Sequence, residues 1–156
     1  MVSRMVRDAR PDPDSTGIAA AWPTLELSFP CTAASATSAR HWLSHELRTA
    51  LSRVTTARPV DDVSDAAELL VCEVVTNAVV HARSAPLVRA TVGADRVHVE
   101  VHDTSDRPPE HHGRDEDELA TSGRGLDLLD LLSDAWGWHR TTTGKAVWFR
   151  LDTVAG

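Results

Sequence analysis

The sequence predicts an α+β fold, a two-layer α/β sandwich in which a mostly antiparallel, mixed sheet carries its helices on one face. Two observations carry this. The element order reads β-α-α-β-β-loop-α-β-β, and strands that follow one another directly pair as hairpins, so antiparallel neighbours dominate. The central stretch, residues 65–82, and Val63 just before it place Val63, Ala66, Ala67, Leu70, Val71, Val74, Val75 and Ala78 on one stripe, the repeat of an amphipathic helix with a single buried side.

Residues 1–22 are rich in Arg, Asp, Pro, Ser and Gly and poor in large apolar groups. They are expected to form a flexible tail, because little apolar burial offsets the entropy of ordering them. Residues 23–156 are expected to form one domain. Residues 24–29, TLELSF, alternate and stop at Pro30, as a strand does. A helix is expected over about 33–53, with Trp42, Leu43, Leu47 and Leu51 at helical spacing and Thr32 or Ser35 as cap. Pro59 and the acids Asp61 and Asp62 open the central helix, where negative charge suits the helix dipole. Residues 87–92 and 96–101 are short, alternating and Val-rich around a Gly93-Ala94-Asp95 turn, which is a hairpin. Periodicity then vanishes over 104–122, a long polar loop with an acidic, His-bearing stretch, the kind of connection that is usually a functional lid or disordered. Gly123-Arg124-Gly125 opens a third helix containing Leu126, Leu129 and Leu132, and two strands, 135–139 and 146–151, flank a Thr-Thr-Thr-Gly turn.

Composition narrows the function. The net charge of −7 argues against direct nucleic-acid binding, which needs a basic footprint. No apolar run approaches the roughly 18 residues that cross a bilayer, and the first residues lack the apolar core of a secretory signal. Cys31 and Cys72 make no disulfide framework. No membrane association and a cytoplasmic location are expected.

Four places carry polar residues where chemistry is conceivable. Glu73 and Asn77 are four apart on the central helix, one above the other beside the apolar stripe. Asp103 follows a predicted strand end, where the chain enters the long loop, and a carboxylate there can accept a hydrogen bond from an exocyclic amine. Gly123 and Gly125 flank Arg124 at a helix start, where backbone N–H groups favour phosphate. Gly144 and Lys145 precede the last strand. Each has a purely structural reading as well: a solvated pair, a turn-starting Asp, a flexible loop-to-helix junction.

Taken in this order, the four places resemble the ATP-binding domain of the GHKL (Bergerat-type, histidine-kinase-like) superfamily, and within it the anti-sigma regulatory factors that act as serine/threonine kinases. ELLVCEVVTNAVVHA is similar to the N box, HDTSDRPP to the first glycine box, and SGRGLDLLDLLSDAWGW to the second glycine box and the helix behind the ATP lid. The resemblance implies Glu73 as catalytic base, Asn77 as magnesium ligand and Asp103 as the acid that reads adenine. It implies Ser105, Gly123, Arg124, Gly125 and Leu126 as further ATP-binding residues, with ATP and Mg2+ as cofactors. It implies an anti-anti-sigma protein as phosphorylation substrate, a sigma factor as a further partner, and a homodimer. Two departures stand out: Ser105 replaces a glycine common in the first box, and the threonine that supports the adenine contact near the last strand has no assigned counterpart here.

The rival readings fare worse. The Gly144-Lys145 pair lacks a P-loop's earlier glycine, since His139 stands there, and Leu128 occupies the third glycine of a dinucleotide fingerprint. No Gly-x-Ser-x-Gly elbow marks a hydrolase. A zinc site from His98, His102, His111 and His112 would lack cysteine support. Trp136, Trp138 and Trp148 read as core and sheet-face residues. One alternative from another class stays open: a nucleotide-gated binding module that transfers nothing and controls a transcription regulator by docking.

Overall fold

The structure, a computed structural model, describes residues 4–6, 24–109 and 125–154. Six strands and three helices are laid out in it. They are β1 (Arg4–Val6), β2 (Thr24–Ser28), α1 (Ala34–Leu51), α2 (Val60–Val80), β3 (Leu87–Val92), β4 (Arg96–Asp103), α3 (Gly125–Leu132), β5 (Ala135–Arg140) and β6 (Lys145–Asp152). The α+β sandwich expected from the sequence is what forms. The sheet runs β1-β5-β6-β4-β3-β2, antiparallel throughout except for β1, which lies parallel to β5.

One element was not anticipated. Arg4–Val6 falls inside the stretch read as a tail, yet its backbone joins the sheet edge opposite Ala135–Gly137. Three residues are too few for a period-2 pattern to register. The rest of 1–22 lies outside the described residues.

The layers follow from alternation. Val88, Ala90 and Val92 on β3, Val97, Val99 and Val101 on β4, and Val147, Phe149 and Leu151 on β6 point to one side, together with Trp136 and Trp138 on β5. Against them pack Ala39, Leu43, Leu47 and Leu51 of α1 and Val63, Ala67, Leu70, Val71, Val74, Val75 and Ala78 of α2. The α2 stripe is the one its spacing predicted. A fully buried aliphatic side chain contributes about 1.5–3 kcal/mol, so this seam dominates the stability of the domain.

Helix ends refine the sequence reading. Pro59 is the N-cap of α2, with Asp61 and Asp62 in its first turn. At α1 the N-cap is Ala33, without a side-chain cap. Thr32 and Ser35 hydrogen-bond each other instead, and the Ser35 hydroxyl donates to the Pro30 carbonyl, so these hydroxyls fix the turn after β2.

Candidate functional site

The site begins where the inner-face alternation of β4 runs past its last valine. Two residues beyond Val101, the same face carries Asp103, and directly across the ladder on β6 stands Lys145. Both are buried, Asp103 at 7% and Lys145 at 8% exposure. The Lys145 ammonium donates to both carboxylate oxygens, at 3.0 Å to Oδ1 and 2.8 Å to Oδ2. The backbone N–H of Ser105 donates to Asp103 Oδ1 at 2.8 Å, and the Ser84 hydroxyl accepts from the N–H of Thr104 at 3.1 Å. Two charges this far from water persist only when paired and hydrogen-bonded.

The turn between β5 and β6 holds Lys145 in register. Thr141 N–H donates to the Gly144 carbonyl at 2.9 Å, and Gly144 N–H donates to the Thr141 hydroxyl at 3.0 Å. Gly144 then lies flat against the end of β4. A β-carbon there would sit 2.1 Å from the Asp103 carbonyl oxygen and 2.6 Å from the Thr104 backbone, so no side chain fits.

A cavity of about 190 Å³ opens over the Asp103–Lys145 pair. Its apolar walls are Val74 of α2, Leu126 and Leu129 of α3, and Val147 of β6, with Pro108 and Pro109 after β4. Its polar lining is Asn77, His81, Asp103, Ser105, Arg107 and Lys145. Of these six, only Asp103 and Lys145 are buried. Apolar walls with a few convergent polar groups are what a flat heteroaromatic ligand requires.

Of the residues singled out in the sequence, Asn77, Asp103, Ser105 and Leu126 come together in this lining. Gly125 is the first residue of α3, at the helix end nearest Leu126. Gly123 and Arg124 lie outside the described residues, as do residues 110–122 of the proposed lid. Glu73 is not a lining residue. It stands one turn before Asn77 on α2, half-buried, and that burial pushes its carboxyl above the usual range. Sequence reasoning had no role for Lys145, and it passed over His81 and Arg107. For Lys145 the signal was present: period 2 backward from Leu151, Phe149 and Val147 places it on the core face. Its partner was hidden, because β4 and β6 are not consecutive in the chain.

The zinc alternative finds no support among the described residues. No group of three or more His, Cys, Asp or Glu is arranged there to hold a metal, and His98 and His102 are both taken up by Glu100, at 3.2 and 2.8 Å. His111 and His112 lie outside the described residues.

The sequence model of the histidine kinase-like ATPase domain matches residues 29–151, from the end of β2 into β6. The chain belongs to that family. ATP binding is the property the family description carries, and the matched span contains every lining residue of the cavity. A crystal structure of the RsbU and RsbW domains of a Mycobacterium tuberculosis protein has a similar fold, with a TM-score of 0.55 at 18% identity over 83% of this chain. This chain spans only 32% of that one. No protein of curated function matches this sequence.

Proposed function

We propose that this chain binds ATP with magnesium in the cavity beneath α2 and α3, and acts as an anti-sigma regulatory factor that phosphorylates a serine of an anti-anti-sigma partner. The observation that carries this is the convergence on one cavity of Asn77, Asp103, Ser105 and Leu126, drawn from three separate segments of the chain. The family membership and the RsbW-containing structure of like fold support it.

In this reading the base lies between the apolar walls, with Asp103 accepting from its amine. Asn77 offers an amide oxygen to the cation, which prefers hard oxygen ligands and takes the remainder from phosphates and water. Magnesium bound there would neutralise triphosphate charge, which dominates phosphoryl transfer. Gly123, Arg124 and Gly125, the first two outside the described residues, are the residues this reading assigns to the phosphates. Glu73, made more basic by burial, takes the proton of the acceptor hydroxyl. In this reading the lid is segment 104–122, of which residues 110–122 lie outside the described residues. A sigma factor is the second partner, a homodimer is the working assembly, and the location is cytoplasmic. No helix of the described residues is long and apolar enough to cross a membrane.

Calorimetric titration with ATP and magnesium, beside Asn77→Ala, tests the binding half. Magnesium-dependent binding is expected in the wild type and its loss in the variant. Glu73→Gln, incubated with labelled ATP and an anti-anti-sigma protein, tests transfer: normal binding with at least a ~100-fold loss of labelling is expected of a missing general base. One observation favours the second reading, a nucleotide-gated docking module. Glu73 is not among the described residues that line the cavity. A wild type that binds ATP, changes its hold on a partner, and never labels it would establish that module and end the kinase proposal.

A further inference from the structure

Five large apolar side chains are exposed among the described residues, and three of them, Leu69, Leu131 and Val154, line one groove. Scattered singly, such residues are ordinary, but gathered in one place and rimmed by polar groups they mark an interaction site. We propose that this groove docks a basic amphipathic helix of a partner protein, its apolar stripe against the leucines and its Lys or Arg residues against the acidic rim. The groove shares no lining residue with the nucleotide cavity, so the inference goes beyond the nucleotide reading and does not depend on it.

The groove encloses about 860 Å³ and lies toward the other ends of the two helices that wall the cavity. Val74 and Asn77 of α2 and Leu126 of α3 face the cavity, whereas Ala66 and Leu69, earlier in α2, and Leu131, near the end of α3, face the groove. The core does not use these leucines. Leu70 and Val71 on α2 and Leu129 on α3 fill it, while Leu69 stays 50% and Leu131 76% exposed.

The rim is acidic. Asp62 and Asp65 stand on α2, Asp130 on α3, Asp134 just after it, and Asp152 at the end of β6. Three of them are answered within the fold: Arg48 reaches Asp65 at 2.9 Å, Arg58 reaches Asp134 at 3.3 Å, and Arg150 reaches Asp152 at 3.0 Å. Asp62 and Asp130 have no cationic partner among the described residues, although Asp130 accepts from the Trp136 indole N–H at 2.7 Å. Each helical wall therefore presents an exposed leucine and an uncompensated carboxylate. Burial, and to a lesser extent the charges of Asp134 and Asp95, hold the Asp152 carboxyl above its usual range despite Arg150 and Arg96, so a further cation at that end is favourable.

This pattern selects the occupant. A helix laid in a groove turns its apolar stripe inward and its flanking residues to both lips. Cations on those flanks complement the carboxylates and hasten encounter. A second copy of this chain would bring a net charge of −7 to the same rim, and nucleic acid or anionic lipid would be repelled there.

The probe is a fluorescently labelled Leu/Lys peptide of about 18 residues, long enough to become helical, with its leucines on one helical face. The full chain is titrated into it, beside Leu131→Asn and Leu69→Asn, both at exposed positions, with thermal melts to confirm that each variant folds. The wild type is expected to bind saturably and each variant at least ~tenfold more weakly, the scale of a central interface contact. Leu27→Asn, exposed on β2 outside the groove, is expected to keep wild-type affinity. Asp62→Asn is expected to weaken binding about threefold and to flatten its salt dependence. A peptide of the same composition with its leucines scattered is expected to bind at least ~tenfold more weakly than the amphipathic one. Groove variants that bind like the wild type, or a scattered peptide that binds as tightly, would reduce the surface to a general attraction for cations and overturn the proposal. No binding by a folded wild type overturns it as well. So does a concentration-dependent dimer in sedimentation that Leu131→Asn and Leu69→Asn both abolish, since the groove would then belong to a second copy. None of these outcomes involves ATP, so each leaves the nucleotide reading standing or falling on its own titration.

Discussion

A methyl group on Gly144 would lie 2.1 Å from the carbonyl oxygen of Asp103 and 2.6 Å from backbone atoms of Thr104. None of these contacts is the far end of a flexible side chain, so relief must come from moving the end of β4 or the turn itself. Gly144→Ala is therefore expected to cost about 1–3 kcal/mol, the range of overpacking in a close-packed interior, and to shift Asp103 away from Lys145. Chemical denaturation checks the first effect and nucleotide titration the second; a variant as stable as the wild type would show that the close approach is not required. At this scale the sequence was partly legible. Asp103 and Asn77, singled out because their motifs are local, both line the cavity. Lys145 was given no role, because its meaning depends on the residue across a non-consecutive strand pair.

Strand β4 shows how one element serves two environments. Its inner face runs Val97, Val99, Val101 to Asp103, while its other face carries Arg96, His98, Glu100 and His102. On that second face, His98 stacks on Trp148 with ring centroids 5.4 Å apart. Burial raises the Glu100 carboxyl, but hydrogen bonds and charge from His102 and His98 more than offset this and hold it well below its ordinary value of 4.5. Arg89 and Trp148 are its cross-strand neighbours on β3 and β6. A carboxyl depressed in the folded state contributes stability that is present above the unfolded value and lost as pH falls toward the folded one. The domain is thus expected to lose stability progressively below about pH 4.5. Glu100→Gln should lose roughly 1.5–3 kcal/mol at neutral pH, the worth of hydrogen bonds to a charged group, and show a shallower acid slope. Denaturant midpoints at pH 7, 4 and 3 measure both; parallel slopes for wild type and variant would remove Glu100 from the account. The elements themselves were legible to within a residue or two wherever period and punctuation agreed, as at the 93–95 turn and Pro59. The exception is β1, whose three residues gain their strand conformation from β5 and not from their own pattern.

Over the whole molecule, the fold class was readable because hairpin connections and one-sided helices leave few topologies. The sheet order was not, since the adjacency of β4 and β6 is set by packing beneath α2. That adjacency is what assembles the cavity: Asn77 comes from α2, Asp103 and Ser105 from the end of β4, Leu126 from α3 and Lys145 from β6. No fragment of the chain presents the site, so a ligand that fills it binds the folded state and has no counterpart in the unfolded one. Linkage then fixes the consequence. At a nucleotide concentration 100 times its dissociation constant, folding gains about 2.7 kcal/mol. For a domain of this size each kcal/mol moves the melting temperature by roughly 2–4 °C, so saturating ATP with magnesium should raise it by about 5–10 °C. Asn77→Ala should lose the magnesium-dependent part of that rise while melting near the wild type without ligand, because Asn77 is only partly buried at the cavity wall. Paired thermal melts with ATP, with magnesium, and with both decide it. A wild type whose melting temperature ignores all three holds no nucleotide at this site, whereas an equal rise in Asn77→Ala would keep the nucleotide and move the cation to another ligand.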